Sequence, residues 1–301
     1  MLRSLILSAS NRCFLSCPGC YNHFGQHVAA AGDVVSFVRL LHARIPLRKL
    51  TVGGGDPLTR PDIIELLAGL RHLGLRIHLD TVGSAFLGSA PIRFRGHGSV
   101  PQVDASVVAR LVDLVGIPLD GSTDEVFRRF RRFASVAEQE SVLDVLADAG
   151  ATICVNTVVH QGNHDDVPRI AAILGTHPQV REWQLFQFMP IGPLGYRNRH
   201  GYQISEAVFD AAVRNLQGTV PATVRIVAKS ASSRKHRYLL MDSAGMLWTP
   251  RQQGGGAWTI TDANDDRATC GTIEDPSTLD RLAAIFAPDV PRQRRRSYDR
   301  V

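Results

Sequence analysis

Three cysteines stand in one short stretch, Cys13-Phe14-Leu15-Ser16-Cys17-Pro18-Gly19-Cys20. Thiolates this close can serve one metal centre, and Pro18 and Gly19 permit the sharp turns that aiming them requires. A structural zinc site needs four protein ligands, and His23, His27 or Cys270 would have to supply the fourth. A 4Fe-4S cluster held by three thiolates instead leaves one iron open to an external ligand. The missing fourth ligand favours the cluster, with zinc as the alternative. One helix further on, Gly53-Gly54-Gly55-Asp56 ends a strand pattern. Glycines there let a ligand approach the backbone, whose carbonyls can accept hydrogen bonds from an ammonium group.

The Cys-x-x-x-Cys-x-x-Cys spacing, Tyr21 directly after the last cysteine, and Gly54-Gly55-Asp56-Pro57 together resemble the radical S-adenosylmethionine superfamily. The resemblance implies one 4Fe-4S cluster on Cys13, Cys17 and Cys20, with S-adenosyl-L-methionine on the fourth iron. Tyr21 would meet the adenine, and the backbone of Gly54, Gly55 and Asp56 the amino group of the methionine moiety. Family members usually carry Glu where this chain has Asp56, a change that leaves the backbone role intact. Leu79-Asp80-Thr81, Gly116 to Ser122 and Val155-Asn156-Thr157 resemble the third, fourth and fifth strand endings. By that analogy Ser122 and Asn156 would meet the ribose or carboxylate of the cofactor, and Asp80 and Asp120 the cofactor or substrate. Helix capping is the competing role for Ser122. The sixth strand, Trp183 to Phe188, is similar to viperin-like and molybdenum-cofactor-type members, with Gln187 placed to reach the ribose.

Elements that could position these residues alternate along the chain. Strand patterns cover Leu2 to Leu7, Lys49 to Val52, Leu75 to Thr81, Leu114 to Leu119, Thr152 to Val159 and Trp183 to Phe188. Helical patterns lie between them, as in Asp33 to Ala43 with Val34, Val35, Phe37, Val38, Leu40 and Leu41 at helical spacing. Such alternation predicts an α/β fold, a partial (βα)6 TIM-like barrel with right-handed crossovers, whose functional residues sit at the C-terminal strand ends. Residues 1–192 form the expected catalytic core, 193–287 a C-terminal α/β extension across its open side, and 288–301 a basic disordered tail. Gly83 to Val103 is too long for an ordinary strand-to-helix connection and is expected to act as a lid. Arg93, Arg95 and His97 within it, and Arg234-Lys235-His236-Arg237 later, could hold an anion.

The chain has 301 residues, 44% hydrophobic and 21% charged, which argues against disorder throughout. No apolar run reaches the roughly 20 residues that span a bilayer, and the start is too short for a signal peptide, so a cytoplasmic protein without membrane contact is expected. Five cysteines, three of them clustered, suit a reducing compartment better than a disulfide framework. The formal charge of +6 comes almost wholly from arginine, lysine occurring only at 49, 229 and 235. Without a basic stripe interleaved with aromatics, nucleic acid is not an expected partner. Cys154 reads as a core residue, and a single further cysteine, Cys270, argues against an accessory cluster.

The reaction class expected from the resemblance is reductive cleavage of S-adenosylmethionine to a 5'-deoxyadenosyl radical. That radical would take hydrogen from a small metabolite or peptide in a specialised biosynthetic pathway, with electrons from a reducing partner such as flavodoxin or ferredoxin. The alternatives are a viperin-like nucleotide dehydratase and, in another class, a non-enzymatic zinc or iron-sulfur protein.

Overall fold

The computed structural model describes residues 4–216, 218–234, 238–250 and 267–286. Its elements run β1 (Ser4–Ser10), α1 (Ala31–Arg44), β2 (Lys49–Gly54), α2 (Ile63–Arg71), β3 (Arg76–Asp80), α3 (Ser84–Leu87), β4 (Ala90–Pro91), β5 (Ser99–Val100) and α4 (Ala105–Leu111). They continue with β6 (Leu114–Pro118), α5 (Asp124–Phe130), α6 (Val136–Asp148), β7 (Ile153–Val159), α7 (Val167–Thr176), β8 (Val180–Gln187), α8 (Gly192–Arg197) and α9 (Glu206–Arg214). The last are β9 (Arg225–Lys229), β10 (Tyr238–Met241), β11 (Met246–Pro250), β12 (Arg267–Thr272) and α10 (Thr278–Phe286).

Strands β1, β2, β3, β6, β7 and β8 are neighbours in that order, all parallel, so the six expected strand units are present. Helices cover one face with the apolar stripes legible in the sequence: Val34, Phe37, Val38 and Leu41 of α1, Leu66, Leu67 and Leu70 of α2, and Ile170 and Leu174 of α7. Each fully buried side chain of this kind contributes about 1.5–3 kcal/mol. Helix α4, which the sequence reading passed over, starts at Asp104, whose carboxylate accepts from the Ser106 and Val107 N–H groups.

The C-terminal segment flanks the open side of the six-strand core. It lengthens the sheet at both edges: β9 pairs parallel with β8, while β10 pairs parallel with β1 and carries antiparallel β11 and β12 beyond it. The expected hairpin turn at Gly245 is present, with a positive φ of 86°. Residues 235–237, within the proposed basic anion motif, and 288–301, the expected basic tail, lie outside the described residues.

The sheet is curled rather than flat. Flat strands spaced by roughly 4.8 Å would put β2 and β9, five steps apart, about 24 Å from each other. Instead burial first, and then the charge of Lys49 on β2, push the Lys229 ammonium on β9 down, so the two strands lie within electrostatic reach of each other. The face opposite the helices is therefore a concave inner surface open to chemistry. Among the described residues no helix is long and apolar enough to cross a membrane.

Candidate active site

The loop between β1 and α1 carries the three thiols, and distant segments hold its backbone. Cys13 bridges to the 83–103 insertion: its N–H donates to the Phe94 carbonyl at 3.2 Å, and its carbonyl accepts from Arg93 and Phe94. Ser16 N–H donates to the Arg132 carbonyl, Gly195 N–H to the Cys20 carbonyl at 3.0 Å, and the Asn198 amide to the Pro18 carbonyl at 2.7 Å. Gly19 is required, because a Cβ there would lie 2.2 Å from the Phe130 ring. The insertion is thus fastened to the first cysteine at residues 93 and 94. Arg93 and Arg95 are stacked over Phe133 and Phe24, at 5.2 and 5.1 Å.

Burial pushes all three thiols up, Cys20 to about 12. A thiolate in such surroundings is stable only with a cationic partner. Each sulfur nevertheless has a donor beside it: the Leu15 N–H at 3.4 Å from Cys13, the Arg131 guanidinium at 4.0 Å from Cys17, and the Asn22 N–H for Cys20. Donors aimed at sulfur serve a metal-bound thiolate, since hydrogen bonds to cluster sulfurs help set the potential. Asn22 Nδ2, directly after the loop, is buried with no protein partner. This donor set fits an iron-sulfur cluster.

It does not fit a single zinc ion. Among the described residues no three His, Cys, Asp or Glu side chains gather where one ion could sit. A cube of irons takes its thiolates at separate corners and does not need that convergence. Of the candidate fourth ligands, His23 is buried edge-on against Trp248, and Cys270 lies on β12, three strands beyond β1.

The glycine turn abuts the same loop. Gly55 N–H donates to the Ser10 carbonyl at 2.9 Å and Asp56 N–H to the Arg12 carbonyl at 2.6 Å. Gly54 has φ 108°, and a Cβ on it would lie 2.5 Å from Ser8 Cα; one on Gly55 would lie 2.2 Å from the Arg12 carbonyl oxygen. These two glycines are needed first for the close passage of β1 and the cysteine loop. The Asp56 side chain is 1% exposed and accepts from the Leu58 N–H, the Thr81 hydroxyl and the Val82 N–H at 2.6 Å, tying the end of β2 to that of β3. Burial pushes its pKa up to about 6 against those hydrogen bonds.

On the inner face, Asp80 and Asn156 are brought together: Asn156 Nδ2 donates to Asp80 Oδ1 at 2.6 Å. His78 Nε2 stands 3.0 Å from the same oxygen, and Lys49 Nζ 2.9 Å from His78 Nδ1. An ammonium can only donate, so Nδ1 accepts and Nε2 carries the proton toward Asp80. Gly116 of β6 makes room for this convergence. A Cβ on it would meet Asp80 Oδ1 at 2.3 Å, Asn156 Nδ2 at 2.5 Å and His78 Nε2 at 2.8 Å. Burial works against the Asp80 charge, but His78, Lys229 and Lys49 outweigh it and hold the carboxyl below its usual range. Cys154 is fully buried, as expected of it, and also touches this network, with Sγ 3.5 Å from His78 Nε2. Tyr21 keeps 40% of its surface exposed and lies within electrostatic reach of Asp80 and Cys20.

Two expected cofactor contacts are otherwise engaged. Ser122 gives both its N–H and its hydroxyl to Asp166 at 2.7 Å, while Thr123 caps α5. Gln187 donates to the Ile204 carbonyl and accepts from Ala231 N–H, so its amide fastens the C-terminal segment. Sequence reasoning missed Arg131, whose guanidinium is paired with the fully buried Asp120 beside Cys17. Asp120 also accepts from Val158 N–H at 2.6 Å. Its position after a strand end was legible, whereas its arginine partner was one of many and had no distinguishing signal.

Comparison with known proteins agrees with this geometry. The model of the Radical SAM superfamily matches residues 7–172. A PqqA peptide cyclase of Ruegeria pomeroyi is 28% identical over 170 residues, 55% of this chain and 42% of that protein. A GTP 3',8-cyclase of Geobacter sulfurreducens is 29% identical over 171 residues, 54% and 48% of the two chains. The chain thus spans about half the length of the curated relatives it matches. Among solved structures, Streptococcus suis SuiB bound to S-adenosylmethionine superposes with a TM-score of 0.68 at 10% identity, covering 95% of this chain and 68% of that one. Native anSMEcpe with bound AdoMet gives 0.59 at 15% identity, covering 94% and 81%. At these identities the two structures speak for the fold, a partial TIM barrel.

Proposed function

The chain belongs to the radical SAM superfamily, and from that premise we propose that it holds one 4Fe-4S cluster on Cys13, Cys17 and Cys20 and uses S-adenosyl-L-methionine to abstract hydrogen from a peptide or small metabolite. The observation that carries this reading is the cysteine loop: three half-buried thiols, each with its own N–H donor, and among the described residues no His, Cys, Asp or Glu cluster that would complete a single-ion site. Cluster and cofactor together would supply one-electron cleavage of S-adenosylmethionine to a 5'-deoxyadenosyl radical. The chain's own residues hold, orient and shield. The backbone of Gly53 to Gly55 offers carbonyls to an ammonium, Tyr21 offers an open ring face for stacking, and Arg131, held by Asp120, sets a positive charge beside Cys17. Asp80 and Asn156, already locked to each other, present a fixed polar edge on the inner face.

A peptide or small-molecule substrate is favoured by the relatives, among them the PqqA peptide cyclase and SuiB, which has been crystallised with its precursor peptide SuiA. The features that pointed to a viperin-like nucleotide enzyme carry less weight: Gln187 is engaged at both ends of its amide, and Arg93 and Arg95 are stacked on aromatic rings. The one-electron step calls for a reducing partner such as flavodoxin or ferredoxin. The test is anaerobic reconstitution, iron and sulfide analysis, and measurement of 5'-deoxyadenosine and methionine after reduction with dithionite. One cluster per chain and equimolar release of both products are expected. Zinc without iron, or intact S-adenosylmethionine in a reduced, cluster-loaded protein, would overturn the reading.

A further inference from the structure

The polar side chains of the inner face form two hydrogen-bonded chains, and both end on one oxygen of Asp80. In the first, the Lys49 ammonium donates to His78 Nδ1 at 2.9 Å, and His78 Nε2 donates to Asp80 Oδ1 at 3.0 Å. In the second, Lys229 donates to the Gln184 side-chain oxygen, the Gln184 amide to Cys154 Sγ at 3.7 Å, the Cys154 thiol to Asn156 Oδ1 at 3.7 Å, and Asn156 Nδ2 to Asp80 Oδ1 at 2.6 Å. An ammonium cannot accept, so each lysine sets the direction of the bonds that follow it. The first chain has one intervening side chain and no sulfur link, and is the stronger of the two. Asp80 Oδ2, by contrast, has no hydrogen-bond partner among the described residues, and the side chain keeps 34% of its surface exposed where that of His78 keeps 3%. One oxygen is thus consumed in fixing the carboxylate and the other is presented. Beside it stand Gly53, where a Cβ would lie 3.5 Å from Asp80 Cβ, and Tyr21, within electrostatic reach. These are the residues that the cofactor reading sets against the two ends of S-adenosylmethionine.

We propose that Lys49 is a positioning residue, which through His78 holds Asp80 so that its free oxygen accepts a hydrogen bond from S-adenosylmethionine. The inference rests on reading the inner face as the place of that cofactor. Lys49 acts through the imidazole and not on the ligand. Its ammonium occupies Nδ1 and so commits the ring N–H to Asp80. Without it the ring is free to turn or to exchange tautomer, and Asp80 loses one of the two bonds that orient it. The carboxyl stays below its usual range although burial opposes its charge, so the presented oxygen is an ionised acceptor.

The test is a mutant cycle on S-adenosylmethionine binding, read by calorimetry on anaerobically reconstituted, unreduced protein at equal iron content. Asp80→Asn should weaken binding roughly tenfold to a hundredfold, the loss of a charge-assisted contact, and Lys49→Met about threefold to tenfold. Added to Asp80→Asn, the Lys49→Met change should cost less than about twofold more, because members of one network are not additive. Lys49→Arg, which keeps a donor for Nδ1, should restore most of the affinity. Spectra of 15N-histidine in the same protein read the contact without any ligand, and His78→Gln assigns its ring among the 11 histidines. Wild type should show a protonated Nε2 and an accepting Nδ1, and Lys49→Met should move the Nδ1 signal. An unmoved Nδ1 signal, wild-type affinity in Lys49→Met, or losses that add in full in the double variant would overturn the proposal. Neither readout needs turnover. A wild type that binds S-adenosylmethionine but leaves it intact under dithionite would therefore end the radical reading alone, with the cycle still deciding the role of Lys49.

Discussion

The cysteine loop and the inner face are built in opposite ways. The loop is held by main-chain hydrogen bonds to residues near 94, 132 and 195, by glycines that allow close passage, and by Phe14 and Leu15, which anchor it in the core. The inner face is held by side chains on adjacent strands, each locked by its neighbour, over the gap left by Gly116. Backbone attachment leaves the thiols free to bind metal, whereas the strand-borne network fixes polar groups rigidly where a substrate must be oriented. The first region should therefore fail as a unit when its backbone is crowded, and the second should lose single interactions by degrees.

The largest expected effect is at the thiols. Cys13→Ala, Cys17→Ala or Cys20→Ala should take iron from about four per chain to near zero, whereas Cys270→Ala should leave it unchanged; iron dependent on Cys270 would break the contrast. Next comes Gly54→Val. Its side chain would strike Ser8, so it should cost about 3 kcal/mol or more and lower iron loading as well as S-adenosylmethionine binding. Urea melts and iron analysis read both, and a stable, fully loaded variant would show that the turn is less crowded than its geometry requires.

Asp56→Asn should cost less, about 2–3 kcal/mol at neutral pH, because an amide cannot accept all the bonds the carboxylate takes. Its pH signature is specific. With a folded pKa of about 6 and an unfolded one near 3.9, the folded state holds the proton more tightly. Wild-type stability from this group should therefore fall as pH rises from about 4 to about 6, by up to about 1.4 kcal/mol per unit, and level off above. The Asn variant should lack that slope, and identical urea-derived pH profiles would remove the burial argument. The smallest effect is at Ser122→Ala. Losing the Asp166 contact should cost about 1 kcal/mol with S-adenosylmethionine affinity nearly unchanged, and a large loss of affinity by calorimetry would return Ser122 to the cofactor site.

Much of the fold was legible because its signals are local. The strand at Lys49 and the helix beginning near Asp33 announce themselves through period and length, and the observed β2 and α1 agree with them within a few residues. How the insertion and the C-terminal segment attach was not legible, because backbone hydrogen bonding of Phe94 to Cys13, and of β10 to β1, leaves no trace in residue type. Ser122 and Gln187 were read by analogy of position, and the partners that occupy them, Asp166 and the 204 and 231 backbone, lie elsewhere in the chain.

What the sequence determined by itself was the thiol spacing, the glycine turn and the alternation of strand and helix, since each lies within a few residues and tolerates no separation. Only the tertiary structure decided which side chains meet across the curled sheet. Asn156 reaches Asp80 from 76 positions away, Gly116 is empty so that they can touch, and Lys229 on β9 comes within electrostatic reach of Lys49 on β2. Curvature sums small twists over many strands, and no short stretch of chain encodes where that sum brings two side chains together.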